Sequence, residues 1–197
     1  MILILLNARD MFRNLYKKSK LAIKLFKVYR ENKYLVRTAV DATNYMTLYM
    51  KIVSEISRKQ MRVIRILGRL LTNKTHNEKG VISLAQIKAT GTFIHYSIGI
   101  LFLYLYHILW KNRITKPNLT GGLSLGLANG LLGIAAWYLY MNLHRNPPQI
   151  DRKSYLINLV IAHLIFGTVA AFEYNRRLHL SERKSAYNPQ SSIQFLS

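Results

Sequence analysis

The chain of 197 residues contains no cysteine, only four prolines and only eight acidic residues. The absence of cysteine excludes disulfides, thiol catalysis and cysteine-ligated metals. The shortage of Asp and Glu leaves 29 Lys and Arg almost unopposed, so the formal net charge is +21. A charge of this size indicates a negatively charged partner, either nucleic acid or an anionic membrane surface.

Several motifs with a known chemistry are also missing from the chain. It has no phosphate-binding P-loop, no H-E-x-x-H zinc motif and no dinucleotide-binding glycine fingerprint. The apolar stretches described next hold no pair of carboxylates for acid–base catalysis. We therefore predict that the protein is not an enzyme and that it has no catalytic residues, no metal site and no cofactor.

Three long apolar stretches dominate the second half of the chain. Ala89–Trp110, Leu119–Leu143 and Ser154–Tyr174 contain neither Lys nor Arg, and their one carboxylate is Glu173. Each exceeds the roughly 20 helical residues that are needed to cross a hydrocarbon core. The sequence therefore predicts an all-α, polytopic transmembrane helical bundle with three clear spans. Beside such spans, the anionic partner is expected to be lipid head groups rather than nucleic acid.

Residues 37–57 form a candidate fourth helix of the bundle. At helical spacing, one broad apolar face contains the side chains Tyr45, Leu48, Tyr49, Ile52 and Ile56. Asp41 falls on the same face, and only nine residues separate it from Lys51. This charge favours a helix packed inside a bundle over a lipid-exposed span.

The distribution of Lys and Arg between the loops provides a second test of topology. With three spans, 22 basic residues lie on the cytoplasmic side and 7 outside. With four spans and a cytoplasmic N-terminus, the numbers are 17 and 12. Charge therefore favours three spans, whereas the resemblance described below favours four helices, and both topologies stay open.

The predicted bundle occupies residues 37–180, between a basic N-terminal region and a polar tail of residues 181–197. Residues 1–36 are amphipathic and rich in Lys and Arg, which is typical of a helix that lies on anionic lipid. The same composition suits a mitochondrial presequence, and the mitochondrial inner membrane is then the location. Met11 opens the cleaner basic segment and is an alternative start to Met1.

Glycines at regular spacing mark the second apolar stretch. Gly122, Gly126 and Gly130 are four residues apart, and Gly133 follows three residues later. Such a face lets a neighbouring helix approach closely, because lipid provides no hydrophobic force between helices. We predict helix packing within the chain, with a homodimer face and close approach to a ligand as alternatives.

The first and third stretches share the pattern H-x3-G-x6-Y. It begins at His95 with Gly99, and again at His163 with Gly167. The two stretches are expected to run parallel, so the two histidines lie at similar depth. Three interpretations stay open: hydrogen bonds across the bundle with packing at the two glycines, bis-histidine ligation of a b-type haem, or a proton or substrate pathway. The pathway would consist of His95 and His163 with Asp41 and Glu173.

The last 90 residues or so resemble a known family. The order is T-F-I-H-Y-S-I-G, a basic loop with Pro117, a helix stepped by glycines, and then A-H-L-I-F-G ending in E-Y-N-R-R. This order resembles the YagU-like family of small bacterial inner-membrane proteins. The resemblance implies four helices and a multi-pass location in the bacterial inner membrane. It implies no activity, because the family is functionally uncharacterised.

Three hypotheses for function follow. The first is a non-enzymatic membrane bundle whose basic cytoplasmic surface binds anionic lipid head groups or a partner membrane protein, with a homo-oligomer as one form. The second is a small transport, proton-pathway or haem-binding module that uses His95 and His163. The third is an immunity protein against a pore-forming toxin, which rests only on size, charge and location.

Overall fold

The computed structural model describes residues 33–72, 83–143, 147 and 149–187, with side chains described up to Leu180. All regular structure in this part of the chain is helical, which confirms the predicted all-α bundle. The predicted basic N-terminal region, including both candidate start methionines, lies outside the described residues except for 33–36. The helices are α1 (33–57), α2 (Val63–Leu71), α3 (Leu84–Lys111), α4 (Leu119–Leu143) and α5 (Arg152–Tyr187).

Three helices, α3, α4 and the Arg152–Leu180 part of α5, are long and apolar enough to cross a membrane. This agrees with an integral membrane protein. Helix α4 has the predicted bounds, whereas α3 begins earlier than predicted, after Ser83. There the Ser83 side chain accepts a hydrogen bond from the Gln86 backbone, and the Gln86 side chain accepts one from the Ser83 backbone. This reciprocal cap extends the helix beyond its apolar core.

Helix α5 also extends past both predicted ends. Its first turn is capped by Asp151, whose carboxylate accepts a hydrogen bond from the Ser154 backbone at 3.1 Å. Its last residue is Tyr187, so residues 181–187, which the sequence analysis placed in the polar tail, continue the helix.

Helix α4 packs antiparallel against α5 through glycine. A Cβ atom added to Gly122 would lie 2.6 Å from the carbonyl oxygen of Gly167, and one added to Gly126 would lie 2.5 Å from that of His163. Real Cβ atoms do not approach backbone this closely, so only glycine permits this contact. The close approach gains dispersion energy between the helices.

Helix α1 packs alongside α3 and runs antiparallel to it. Thr47 lies against His95, and Tyr34 lies against His107, twelve residues further along α3. The buried face of α1 consists of small and unbranched side chains: Leu35, Thr38, Ala39, Ala42, Thr43, Met46 and Met50. This face lets α1 approach its neighbours closely.

The large apolar side chains of α1 point the other way. Tyr45 is 57% exposed, and Leu48, Ile52 and Ile56 are exposed as well. The sequence analysis was right that these residues share a helical face. They form the outer face of α1, however, because the small residues on the opposite side make the better packing surface.

Helix α2 belongs to a segment that the sequence analysis described only as basic. It crosses the first turns of α3, where Gly68 of α2 lies against the backbone of Ile87 and Gly91 of α3 lies against that of Ile64. The turn before α2 is held by Ser54, whose hydroxyl donates to the carbonyl of Lys59 at 2.7 Å. The same oxygen accepts from the backbone N–H of Met61 at 3.2 Å. Helix α2 is thereby fixed against the bundle.

Candidate functional site

A cavity of about 530 Å³ lies between the helices, within the membrane-spanning part of the fold. Sites that hold small organic ligands typically measure about 300–1,000 Å³. All five helices contribute to its wall, and most of the lining side chains are apolar. The side chains with polar atoms are Thr43, His95, Trp137, Tyr140 and His163. A mostly apolar cavity with a few convergent polar groups is the usual form of a ligand site.

The two histidines singled out from the sequence both line this cavity. His95 is 6% exposed and His163 is 7% exposed, so both imidazoles are almost entirely enclosed. They come from the parallel helices α3 and α5, which the matched sequence patterns predicted to bring them to similar depth.

His163 is held by its own helix. Its Nδ1 atom lies 2.8 Å from the carbonyl oxygen of Leu159, one turn earlier in α5. The ring also packs edge to face with Phe102 of α3. Within the described residues, the other ring nitrogen, Nε2, has no hydrogen-bond partner. It is therefore free to bind a ligand.

His95 is held by α1 instead. Its Nε2 atom lies 3.0 Å from the hydroxyl oxygen of Thr47. That hydroxyl donates in turn to the backbone carbonyl of Thr43 at 2.7 Å. The hydrogen bonds therefore tie α3 to α1 at the wall of the cavity, and they engage the nitrogen of His95 that most often binds haem iron.

Gly133 lies at the edge of the His163 ring. A Cβ atom added there would lie 3.4 Å from Cε1 and 3.8 Å from Nε2 of His163, which is ordinary contact rather than collision. Gly133 thus differs from Gly122 and Gly126, where a Cβ would meet the backbone of α5. Its missing side chain leaves open space beside a histidine nitrogen, whereas theirs permits helix packing.

The cavity opens between α3 and α4. Leu132 is 61% exposed although it lines the cavity, and Ile98 and Tyr140 are also exposed. These side chains mark a mouth on the outer surface of the bundle. Helix α2 covers the cavity nearby through Val63, Leu67 and Leu70. A molecule dissolved among lipid chains would reach the mouth from the side.

Asp41 and Glu173, the predicted carboxylates of a polar pathway, lie elsewhere. Both carboxylates accept from the guanidinium of Arg177: Asp41 from α1 and Glu173 from within α5 at 3.2 Å. Arg176 donates to Glu173 as well, at 2.7 Å. The four residues thus form an ion-pair cluster, and none of them lines the cavity.

The tyrosines of the shared pattern have different partners. The Tyr106 hydroxyl accepts from Asn129 Nδ2 at 2.8 Å, and the Tyr174 hydroxyl pairs with His107 Nδ1 at 2.8 Å. Asn129 is buried on α4 and was missed in the sequence, although an amide inside an apolar stretch indicates a partner across the bundle.

One further pattern in the sequence, Gly122-Leu-Ser-Leu-Gly126, matches the G-x-S-x-G motif around many hydrolase nucleophiles. That motif requires a sharp turn between a strand and a helix. Here it lies inside α4, and the Ser124 hydroxyl donates to the carbonyl of Gly121 at 3.0 Å. The pattern therefore lacks the geometry of a nucleophile.

The candidate ligands for a metal are too few at the cavity. In the described part of the chain, no group of three or more His, Cys, Asp or Glu side chains is placed to hold a metal ion. Structural and catalytic zinc sites use at least three protein ligands. Two imidazoles in an apolar wall are better suited to hydrogen bonding.

Comparison with known proteins gave no match to any family model, any curated protein or any solved structure. The YagU-like resemblance stays a prediction.

Proposed function

We propose that the protein is an integral membrane protein that binds a largely apolar, bilayer-dissolved molecule in the cavity between α3 and α4. The observation that carries the proposal is the placement of two enclosed histidines in the wall of a cavity of about 530 Å³. Apolar walls favour the ligand's hydrocarbon part, and a free imidazole nitrogen fixes its polar end. The lateral mouth suits a ligand that arrives through the bilayer.

Filling the cavity tests this proposal. Gly133→Leu places a large side chain beside His163, where a Cβ is tolerated but further atoms occupy the cavity. Ala135→Leu adds the same atoms to the exposed face of the same helix and is the matched control. Native mass spectrometry of protein released from detergent should detect a bound small molecule in the wild type and in Ala135→Leu, and not in Gly133→Leu. Equal occupancy in all three would contradict the proposal.

The haem alternative requires that both histidines direct a ring nitrogen at one iron atom. The Thr47 hydroxyl occupies Nε2 of His95, so that ring would have to bind iron through Nδ1 or give up its link to α1. The geometry therefore supports a hydrogen-bonded ligand better than a bis-histidine haem.

A second candidate function is the binding of anionic lipid head groups, for which the placement of α2 is the favourable observation. Helix α2 and the segment before it carry Arg58, Arg62, Arg65 and Arg69, and α2 has no acidic residue. Juxtamembrane arginines attract anionic lipid. The double substitution Arg65→Gln with Arg69→Gln should reduce retention of anionic lipid, and not of zwitterionic lipid, in native mass spectra. Equal loss of both would contradict this function.

A further inference from the structure

The hydrogen bond of His163 fixes the position of its proton. A backbone carbonyl can only accept, so Nδ1 of His163 must carry the hydrogen that it shares with Leu159 at 2.8 Å. In the neutral imidazole only one nitrogen carries hydrogen, so Nε2 is left as a lone-pair acceptor. This nitrogen is the one beside Gly133.

The proton of His95 is fixed by a chain of two hydrogen bonds. The Thr47 hydroxyl has one hydrogen, and it goes to the carbonyl of Thr43 at 2.7 Å. The hydroxyl oxygen must therefore accept from Nε2 of His95 at 3.0 Å. Nδ1 of His95 is then the acceptor nitrogen, and among the described residues it has no hydrogen-bond partner.

Both imidazoles therefore offer acceptors and no free N–H. The neutral form is the relevant one, because an unpaired charge in an apolar cavity costs much more than a neutral ring. The Thr43 hydroxyl, the other small polar group of the wall, is fully buried against Gly99 and does not change this balance. An acceptor-only ligand such as an ether or a ketone would leave these nitrogens unpaired.

Resting on the proposed function, we infer that the ligand is a neutral long-chain alcohol whose hydroxyl donates its hydrogen to Nε2 of His163. The hydrocarbon tail lies against the apolar wall toward the mouth at Leu132, and the hydroxyl lies deep in the cavity beside Gly133. A hydroxyl is the smallest uncharged donor, so it costs the least to bring out of water into an apolar site.

Trp137 provides the readout, because it lines the cavity, whereas Trp110 does not. Bromine quenches tryptophan fluorescence on contact. Two probes that differ only by methylation of the hydroxyl, 12-bromododecan-1-ol and 1-bromo-12-methoxydodecane, are titrated into wild-type protein in nanodiscs. Gly133→Leu gives the background from probe dissolved in lipid, and Trp137→Phe identifies the quenched residue.

We expect the alcohol to bind roughly five- to tenfold more tightly than the ether, since the ether cannot make the hydrogen bond. His163→Phe should reduce this preference to less than about twofold. If alcohol and ether quench Trp137 equally and Gly133→Leu abolishes both, the alcohol inference is wrong and the proposed function stands. If neither probe exceeds the Gly133→Leu background, both are wrong. The comparison of probes needs only the wild-type protein, so it decides even if His163→Phe does not fold.

Discussion

Gly133 of α4 lies against the free edge of the His163 ring of α5, at a distance that a methyl group would fill without collision. Three turns of helix separate it from Gly122, which meets the backbone of α5 directly. The same residue type thus closes the bundle at one depth and leaves a cavity at another.

Two glycine substitutions should separate these roles. Gly126→Ala places a methyl group 2.5 Å from the carbonyl of His163, so the helices must move apart. We expect it to lower the free energy of unfolding by about 1–3 kcal/mol. Gly133→Ala should change it by less than about 0.5 kcal/mol, because its Cβ meets the His163 ring at 3.4 Å. Thermal unfolding in one detergent measures both, and similar losses would contradict the distinction.

The hydrogen bond between Thr47 and His95 should stabilise the contact between α1 and α3. Thr47→Val keeps the shape of the side chain but leaves the Nε2–H of His95 without its acceptor. The expected cost is about 1–2 kcal/mol. Thr47→Ser, which retains the hydroxyl, is the control and should unfold close to the wild type. A valine variant as stable as the serine variant would show that the bond contributes nothing.

Arg177 should matter more than either of its carboxylate partners. Arg177→Gln leaves Asp41 and Glu173 without their shared cation, and we expect a loss of about 1–3 kcal/mol. Asp41→Asn removes only one pair and should cost less. The exposed pair between Arg62 and Glu55 provides the comparison, and Glu55→Gln should cost under about 0.5 kcal/mol. An Arg177 variant no less stable than Glu55→Gln would be evidence against the cluster.

The packing of α1 predicts that it crosses the membrane as a fourth span. Its outer face is apolar, its inner face packs on α3, and Asp41 is paired with Arg177. Single cysteines at Lys33 and Asn112 should therefore react from one side of the membrane, and a cysteine at Ser57 from the other. The chain has no cysteine of its own, so the labels report cleanly. Labelling of positions 33 and 57 from the same side would exclude this topology.

Lys59 should make the stability of the protein depend on acid through Asp151. The hydrogen bonds from Lys59 and from the Ser154 backbone lower the pKa of the Asp151 carboxyl. A lowered pKa means that this stabilisation is present above the unfolded-state pKa and is lost as the pH falls through the folded-state pKa. In Lys59→Gln, the carboxyl resonance of Asp151 should titrate at a higher pH by NMR. An unchanged titration would contradict the contact.

The helices were readily predicted, because apolar length and the exclusion of charge set their positions. Helix α4 has the predicted bounds for this reason. The extension of α3 to Leu84 was not predicted, since a polar cap rather than an apolar residue starts it. The outward face of α1 was also unpredicted, because in a membrane large apolar side chains can face lipid while small ones pack.

The site was predicted only in part. The repeated pattern singled out His95 and His163, and both line the cavity. Periodicity does not report empty space, so nothing in the sequence distinguished Gly133 from Gly126. The partnership of Asp41 with Arg177 joins residues 136 positions apart, which no local pattern can reveal.

The most direct test of the account is the location of a bromine atom in crystals grown with 1-bromododecane. The account predicts an anomalous peak between α3 and α4, in contact with the wall formed by Gly133, Phe102 and Leu159, and no such peak in Gly133→Leu crystals. A wild-type structure in which side chains fill this space, with bromine found only on the outer surface, would contradict it.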